Sequence, residues 1–340
     1  MSFQPSQLTI AIPSWNRLTR LLLTLESICN QPESRQVNLL VLDNGSDQEY
    51  TPAVNFLREK KQPFRYVRHE QNIGMCSNIL RCVEESETEW IWILGDDDPV
   101  AEDSLERILS EVNQANCEDI ICFSEAVRLG SSFGPSLKTV NFEKYLQLPG
   151  SLTAICGISE NIFRRATFVA VLSHGYHYAT TLFPHLVVAF AIMSNGGSVA
   201  FKSATLLQSK NIDAVDRWYW PSWDLGVGLL LDLPFLKAIE RKKIKVKLTE
   251  LSTKKALFIH SVAMLAAGFD RSFVVYVYSQ SAFRTFGFWS TVFSPYTYGM
   301  LGATVAPKLA SRILGIIYRL ARKRTPFHYY TESMKSKRVN

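Results

Sequence analysis

Apolar runs and helical periodicity alternate along the first 125 residues. Short apolar runs predict buried strands over 8–12, 37–42, 64–68, 90–94 and 119–123. Between these runs, apolar residues at helical spacing predict helices over 17–30, 51–60, 74–87 and 103–115. Strands that alternate with helices of this length form βαβ units. The pattern therefore predicts an α/β fold with a mostly parallel, Rossmann-like sheet.

The pattern changes after residue 125. Residues 126–160 predict a loop-rich crossover or lid, and helices are expected near 181–194 and over 250–267. Residues 285–307 carry no charge, but Ser, Thr, Tyr, Pro and Gly dilute their hydrophobicity, so we expect no membrane span. Residues 308–324 place apolar side chains on one helical face beside basic ones, which predicts an amphipathic helix at a membrane surface. The alternative is an ordinary solvated basic helix.

Charge divides the chain of 340 residues, whose net charge is +6. Residues 1–236 carry 18 Lys and Arg against 27 Asp and Glu, whereas residues 237–340 carry 19 against 4. A basic region of this kind meets anions. Aromatic residues within 283–298 favour an anionic membrane surface, contacted through 285–324, over nucleic acid, for which no binding motif is present.

Composition excludes two further classes of protein. Six Cys without a CxxC spacing make a disulfide scaffold or a structural zinc site unexpected. The first residues have neither a basic segment nor a long apolar run, so we expect no secretory signal. The expected location is cytoplasmic and peripheral on the inner face of the membrane.

Three polar clusters, 13–17, 43–47 and 95–98, follow the first, second and fourth predicted strands. None is needed for packing, and ligands of such sheets bind beyond the carboxyl ends of the strands. Adjacent carboxylates at Asp96, Asp97 and Asp98 repel one another unless a cation joins them, and Mg²⁺ or Mn²⁺ prefers carboxylate and phosphate oxygens. The alternative is a solvated acidic turn at a helix N-terminus.

Four motifs in order then resemble those of family 2 glycosyltransferases with the GT-A fold. They are Ile12-Pro13-Ser14-Trp15-Asn16-Arg17, Val41-Leu42-Asp43-Asn44-Gly45-Ser46, Asn72-Ile73-Gly74 and Ile93-Leu94-Gly95-Asp96-Asp97-Asp98. The resemblance covers residues 6–125 closely and 150–200 loosely. The segment 90–98 resembles bacterial abequosyltransferases and related transferases of surface-polysaccharide assembly. The fold that the resemblance implies is GT-A, a nucleotide-diphospho-sugar transferase fold, with a helical, basic C-terminal extension.

The resemblance also implies roles for the residues of these motifs. The nucleotide-sugar contacts would come from Pro13, Ser14, Trp15, Asn16, Asp43, Asn72, Asp96 and Asp97. Asp96 and Asp98 would form the DxD pair, with Asp96, Asp97 and Asp98 as metal ligands. A register shifted by one puts Gly95 in the first position and makes Asp97 and Asp98 the key pair. A simpler alternative is that Asn16 and Ser46 cap helices.

The sequence departs from the family where inverting members carry a Glu-Asp pair with the catalytic base. Pro184-His185-Leu186 stands there instead. His185 is a candidate base or diphosphate contact, and a buried core histidine is the alternative. Asp213 and Asp216 are other candidates for the base, and Arg217 is a candidate diphosphate contact. Asp98 is the second catalytic candidate, as a predicted ligand of the metal.

Together these features predict a transferase that uses Mg²⁺ or Mn²⁺. It would move a sugar from a nucleotide-sugar donor to a hydroxyl of a lipid-linked or other glycan, in O-antigen or surface-polysaccharide synthesis. Residues 1–235 would be the GT-A domain, with donor half 1–125 and acceptor half 126–235, and 236–340 a helical membrane-associating region. A nucleotidyltransferase is disfavoured because no Gly-rich phosphate loop is present. An inactive GT-A scaffold that binds glycan or nucleotide is the other alternative.

Overall fold

The computed structural model describes residues 7–124, 139–208, 220–251, 253–307, 309–310 and 313. The chain divides into two compact units. The first unit comprises residues 1–179 and 183–209, and the second comprises 180–182 and 210–340. The domain boundary predicted at 235/236 stays a prediction.

The first unit is built on one sheet of seven strands within its described residues. The strands are β1 Leu8–Ser14, β2 Asn38–Asp43, β3 Phe64–Arg68, β4 Trp90–Ile93, β5 Ile120–Phe123, β6 Asn161–Arg164 and β7 Val199–Lys202. Their order is β3-β2-β1-β4-β6-β5-β7. β6 runs antiparallel to β4 and β5, and the other pairings are parallel. The predicted α/β fold with a mostly parallel sheet is confirmed.

Helices cover both faces of this sheet. They are α1 Leu18–Cys29, α2 Thr51–Glu59, α3 Met75–Glu85, α4 Ser104–Gln114, α5 Phe142–Gln147, α6 Ser151–Cys156, α7 Arg165–Ala170, α8 Leu172–His177 and α9 Pro184–Ser194. Alternate residues of β1 join one apolar cluster with α1, α2 and α4, because successive strand side chains point to opposite faces. α3 packs on β1, β2 and β4 outside that cluster and covers the other face.

The five strands and four helices predicted before residue 125 are all present. β6 was not predicted, because its four residues lack a long apolar run and gain their place only by pairing between β4 and β5. Part of the predicted crossover forms α5 and α6, and residues 125–138 lie outside the described residues.

The second unit is helical in its described part. Its helices are α10 Trp220–Leu229, α11 Ala238–Leu251, α12 Lys254–Ala266, α13 Arg271–Phe286, α14 Phe288–Val292 and α15 Pro295–Val305. Apolar residues of α12, α13 and α15 share its core. Asp224 of α10 and His260 of α12 are both buried, and His260 Nδ1 lies 3.0 Å from Asp224 Oδ2. Burial raises the pKa of Asp224, and His260 offsets part of that increase.

The uncharged stretch 285–307 forms three helical pieces rather than one helix. Gly287, with φ of +86°, separates α13 from α14, and Ser294 precedes Pro295 at the start of α15. Among the described helices, none is long and apolar enough to cross a membrane. Apart from residues 309–310 and 313, the predicted amphipathic helix over 308–324 lies outside the described residues.

Candidate active site

The three polar clusters meet at one edge of the sheet. β2, β1 and β4 are parallel neighbours, and Ser14 pairs in register with Asp43. Ala11 pairs with Ile93 on the other side, so residues 95–98 emerge beside residues 13–17. Topology therefore brings together side chains that lie up to 82 residues apart in the sequence.

Asp96 is an internal anchor at this edge. Its side chain is buried, and Oδ2 accepts a hydrogen bond from Ser14 Oγ at 2.7 Å, while Arg17 Nη1 lies 3.2 Å from Oδ1. Tyr50 extends the chain of bonds, with its hydroxyl 2.7 Å from Ser14 Oγ. Burial raises the pKa of Asp96, and Arg17 and Ser14 offset part of that increase. The carboxylate is thus held and neutralised within the fold.

Asp97 and Asp98 have other partners. Asp97 Oδ2 lies 3.5 Å from Arg20 Nη1 and 3.8 Å from Arg17 Nη1. Asp98 Oδ2 accepts from Ser159 Oγ at 2.6 Å. Within the described ranges, no three His, Cys, Asp or Glu side chains converge as a metal site. Asp96 faces inward to Ser14 and Arg17, whereas Asp97 and Asp98 do not, and the metal site predicted at Asp96, Asp97 and Asp98 stays a prediction.

Two of the three carboxylates nevertheless fit a cation. A Cβ on Gly95 would lie 2.6 Å from Asp98 Oδ2 and 3.3 Å from Asp97 Oδ1. The missing side chain leaves a small cradle that these two oxygens border. Both carboxylates are partly exposed, and hard carboxylate oxygens joined by substrate phosphates suit Mg²⁺ or Mn²⁺. This arrangement agrees with the shifted register, in which Gly95 takes the first motif position.

The loop between β1 and α1 presents one aromatic ring. Trp15 is exposed, and Pro13 beside it is half-buried. Asn16 has φ of +53°, its Oδ1 accepts from the Asp47 N–H at 2.8 Å, and its own N–H donates to Ser46 Oγ at 2.9 Å. Neither α1 nor α2 has a side-chain capping bond, so the capping alternative for Asn16 and Ser46 is wrong. They tie two loops together instead.

Asp43 is fully buried beneath these loops. Its Oδ1 accepts from the Ser46 N–H at 2.9 Å, and its Oδ2 accepts from the Tyr66 hydroxyl at 2.7 Å. Arg68 Nε lies 3.6 Å from Oδ2. Burial and the Asp43 contact raise the pKa of Tyr66, which therefore stays a hydrogen-bond donor at neutral pH. Both carboxylate oxygens are engaged inside the fold, and Arg68 is the exposed member of the group.

Asn72 fixes the third loop. Its Oδ1 accepts from Asn44 Nδ2 at 2.8 Å and from the Gly74 N–H at 2.8 Å. Asn44 Oδ1 in turn accepts from the Ile73 N–H at 3.0 Å. These bonds hold residues 72–74 against the end of β2, so the motifs 41–46 and 72–74 are joined at the same edge of the sheet.

His185 lies at the start of α9, away from solvent. Its Nε2 donates to the Cys156 carbonyl oxygen at 2.8 Å, and its Nδ1 is buried without a hydrogen-bond partner. Burial lowers the pKa of His185 to about 4. This placement matches the alternative of a buried core histidine, and the predicted role of His185 as a base or diphosphate contact stays a prediction.

We expect His185 to make the protein acid-sensitive. The pKa of His185 is about 4 in the folded protein, against 6.5 for an ordinary histidine. Its contribution to stability is therefore complete above pH 6.5. It is lost as the pH falls towards 4, because the unfolded chain takes up a proton that the folded protein does not. The loss is about 3 kcal/mol. In His185→Gln, which keeps a donor for Cys156, the free energy of unfolding should fall less between pH 6.5 and 4. Urea unfolding at stepped pH measures this difference.

His177→Gln is the matched control, because His177 is an exposed histidine on α8. It should keep the wild-type dependence of stability on pH. Equal slopes in wild type and His185→Gln would refute the assignment to His185.

Arg217, Asp213 and Asp216 lie outside the described residues. Three residues of the site were not predicted from the sequence: Arg17, Arg20 and Ser159. Arg17 lies within the first motif, and Arg20 lies three residues further along, in α1. Residues at this spacing share one face of a helix, so the sequence could have predicted both arginines at the site. Ser159 offered none, because it reaches Asp98 from 61 residues away through the turn before β6.

Solved structures share this architecture. S. aureus TarS 1–349 in complex with UDP-GlcNAc matches with a TM-score of 0.53 at 12% identity, over 98% of this chain and 92% of that one. Mannosyltransferase PcManGT from Pyrobaculum calidifontis, in complex with GDP-Man and Mn²⁺, matches with a TM-score of 0.52 at 14% identity, over 98% and 85%. Identity this low shows the fold alone. The fold is that of the GT-A glycosyltransferases.

The sequence comparisons are more specific. Residues 9–171 match the sequence profile of Glycosyl transferase family 2. Abequosyltransferase RfbV of Salmonella typhimurium (strain LT2) is 31% identical over 117 residues, which cover 34% of this chain and 35% of that relative's length. Residues 9–171 therefore resemble a family 2 glycosyltransferase domain, and the chain resembles abequosyltransferases, as the sequence motifs predicted.

Proposed function

We propose that this protein is a glycosyltransferase that moves a sugar from a nucleotide-sugar donor to an acceptor hydroxyl. The observation that carries the proposal is the single edge at which β1, β2 and β4 assemble the four family motifs around Asp96, Asp97 and Asp98. The similar solved structures support the donor class, since they include complexes with UDP-GlcNAc and GDP-Man.

The chain's own residues divide the work at this edge. Exposed Trp15 stacks on the nucleotide base, with Pro13 beside it. Ser14, Asn16, Asp43 and Asn72 hold the loops that contact the nucleotide, through the bonds described above. Arg17 neutralises Asp96, which keeps the acidic turn in place. Ser159 orients Asp98 from the other side.

We propose that Asp97 and Asp98 hold Mg²⁺ or Mn²⁺ in the cradle at Gly95. When bound, such a cation stabilises the negative charge that develops on the leaving diphosphate. Asp96 is not proposed as a ligand, because its carboxylate is buried and turned towards Ser14 and Arg17, whereas Asp97 and Asp98 are partly exposed. Arg20, whose guanidinium lies close to Asp97, is proposed to contact the diphosphate of the donor. Arg217 is kept as a further candidate for the diphosphate.

We propose a lipid-linked glycan as the acceptor, in the synthesis of O-antigen or another surface polysaccharide. The resemblance to an abequosyltransferase supports this class of acceptor. The excess of basic residues over 237–340 supports a peripheral position on the inner, anionic face of the membrane, with contacts through 285–324.

A thermal-shift panel tests the transferase proposal. UDP-, GDP-, CDP- and dTDP-sugars are each added to the full chain with and without Mn²⁺ or Mg²⁺. A donor at a hundred times its Kd stabilises the native state by about 2.7 kcal/mol, because it binds only the folded protein. One donor class should therefore raise Tm by roughly 5–10 °C, and only with the metal.

The panel, combined with an assay of nucleoside diphosphate release, distinguishes a transferase from the inactive scaffold. Stabilisation by a donor together with release of the nucleoside diphosphate supports a transferase. Stabilisation without turnover on any glycan acceptor would favour an inactive binding module. If folded protein showed no shift with any nucleotide, the acidic turn would be purely structural and the proposal would fail.

A further inference from the structure

A cluster of exposed aromatic rings stands out in the second unit. It is called the aromatic tip below and consists of Phe283, Phe288, Trp289 and Phe293. The rings pack in sequence, with centroids 5.5 Å apart for Phe283 and Phe288, 5.1 Å for Phe288 and Trp289, and 5.9 Å for Trp289 and Phe293. Trp289 and Phe293 are each 69% exposed. A contiguous exposed aromatic surface of this kind marks an interaction site.

The backbone under the aromatic tip is well fixed. Gly287 ends α13 and begins α14, and Thr291 Oγ1 donates to the carbonyl oxygens of Gly287 at 2.8 Å and Ala282 at 3.1 Å. Thr297 Oγ1 donates to the Thr291 carbonyl oxygen at 2.7 Å. A rigid support lowers the entropy lost when the rings bind a surface.

Lysines flank the aromatic tip on two sides. Lys254 Nζ donates to the Ser290 carbonyl oxygen at 2.8 Å and to Ser290 Oγ at 2.7 Å, and it lies 5.6 Å from the centre of the Phe286 ring. Lys245 Nζ would lie 3.8 Å from a Cβ on Gly287. Residues 237–340 as a whole contain 19 basic and only four acidic residues.

We propose that the aromatic tip is a membrane-docking site that inserts into the interface of an anionic phospholipid bilayer. Trp and Phe rings sit at the depth of the headgroups, and Lys245 and Lys254 face the lipid phosphates. The charge beside the rings favours this occupant over a second copy of the same basic chain. The inference rests on the proposed peripheral membrane location and deepens it, because it narrows the contact proposed over 285–324 to the aromatic tip with Lys245 and Lys254.

Co-sedimentation of the full chain with vesicles tests the site. Vesicles of phosphatidylcholine with 30% phosphatidylglycerol are compared with vesicles of pure phosphatidylcholine. The double variant Trp289→Ala/Phe293→Ala should lower the partition coefficient on anionic vesicles at least tenfold, because it removes the two most exposed rings. Lys245→Gln should lower it about fivefold and wild type should bind pure phosphatidylcholine weakly, as expected for an electrostatic contribution of each lysine.

Tyr276→Ala provides the matched control, because Tyr276 is an exposed aromatic residue on α13 outside the tip. It should stay within twofold of wild type. Trp289→Phe gives an independent readout. It should keep most of the binding but lose part of the tryptophan quenching that brominated lipids cause in wild type.

Three outcomes would overturn the proposal. The first is unchanged vesicle binding by the double variant Trp289→Ala/Phe293→Ala. The second is loss of vesicle binding only in the triple variant Arg322→Gln/Lys323→Gln/Arg324→Gln, which would place the contact on the tail. Self-association that depends on Trp289, seen by light scattering without vesicles, would identify a second copy as the occupant. The donor-induced thermal shift should be unchanged in the tip variants, so failure of the docking site is distinguishable from failure of the transferase proposal.

Discussion

Replacing Asp98 by asparagine is expected to lower sugar transfer by about 10²–10³-fold, the usual cost of losing one electrostatic stabiliser of a developing charge. The substitution keeps the shape of the side chain, and the new amide oxygen still accepts from Ser159 Oγ. It removes the negative charge at the Gly95 cradle. Release of the nucleoside diphosphate, with the donor that the thermal-shift panel selects, measures the rate. Electron paramagnetic resonance of Mn²⁺ measures metal affinity, which should fall in parallel.

Asp103→Asn is the matched control for this variant. Asp103 is an exposed carboxylate five residues further along, with φ of +61°, a conformation that asparagine tolerates. Its side chain pairs with Arg107 on the surface. Its rate and Mn²⁺ affinity should stay within twofold of wild type. Wild-type values in Asp98→Asn would show that the acidic turn has a purely structural role.

Replacing Gly45 by alanine is expected to destabilise the first unit by about 3–4 kcal/mol and to lower Tm by roughly 10 °C. Gly45 has φ of +70°, which costs an L-residue about 1–2 kcal/mol. The new Cβ would also lie 2.6 Å from the Gln71 carbonyl carbon and 2.9 Å from the Asn72 nitrogen. Both are backbone atoms, so no rotamer change relieves the clash, and overpacking adds about 1–3 kcal/mol.

Gly74→Ala separates the two causes. Gly74 has a similar φ of +86°, but no atom lies within 4 Å of its added Cβ. It should therefore lose only the conformational part, about 1–3 kcal/mol, because its backbone with φ of +86° and ψ of 152° is essentially restricted to glycine. Urea unfolding followed by far-ultraviolet circular dichroism compares the variants. Gly45→Ala should also weaken the donor-induced thermal shift, because it displaces Asn72. Equal destabilisation in the two variants would mean that the loop at 71–72 yields freely.

The local pattern of apolar and polar residues was sufficient to predict the strands and helices before residue 125. Apolar runs bury strands and amphipathic spacing buries one helical face, and both signals are read over a few residues. The placement of Asp96–Asp98 after β4 followed from the same pattern. β6 was missed because its short segment becomes a strand only between β4 and β5. The uncharged stretch 285–307 was expected not to span a bilayer, and it is divided among the end of α13, α14 and α15.

The partners of the site residues depended on tertiary structure. Asp96 was expected to contact the metal and the nucleotide sugar, and only the fold showed that Ser14 and Arg17, 82 and 79 residues away, contact its oxygens. Ser159 reaches Asp98 only because β6 turns back beside β4. His185 was a candidate base by its position in the chain, and its burial against the Cys156 carbonyl became visible only in the packed fold.

The sequence by itself determined the α/β architecture, the family resemblance and the chemical types at the strand ends, because periodicity, turn residues and motif order are local properties of the chain. Tertiary structure alone decided which of three adjacent carboxylates is buried and which two border the Gly95 cradle. It also decided that the rings of 283–293 gather beside Lys245 and Lys254. The physical reason is that burial and pairing depend on groups far away in the chain, which only the packed sheet and helices bring within a few ångströms.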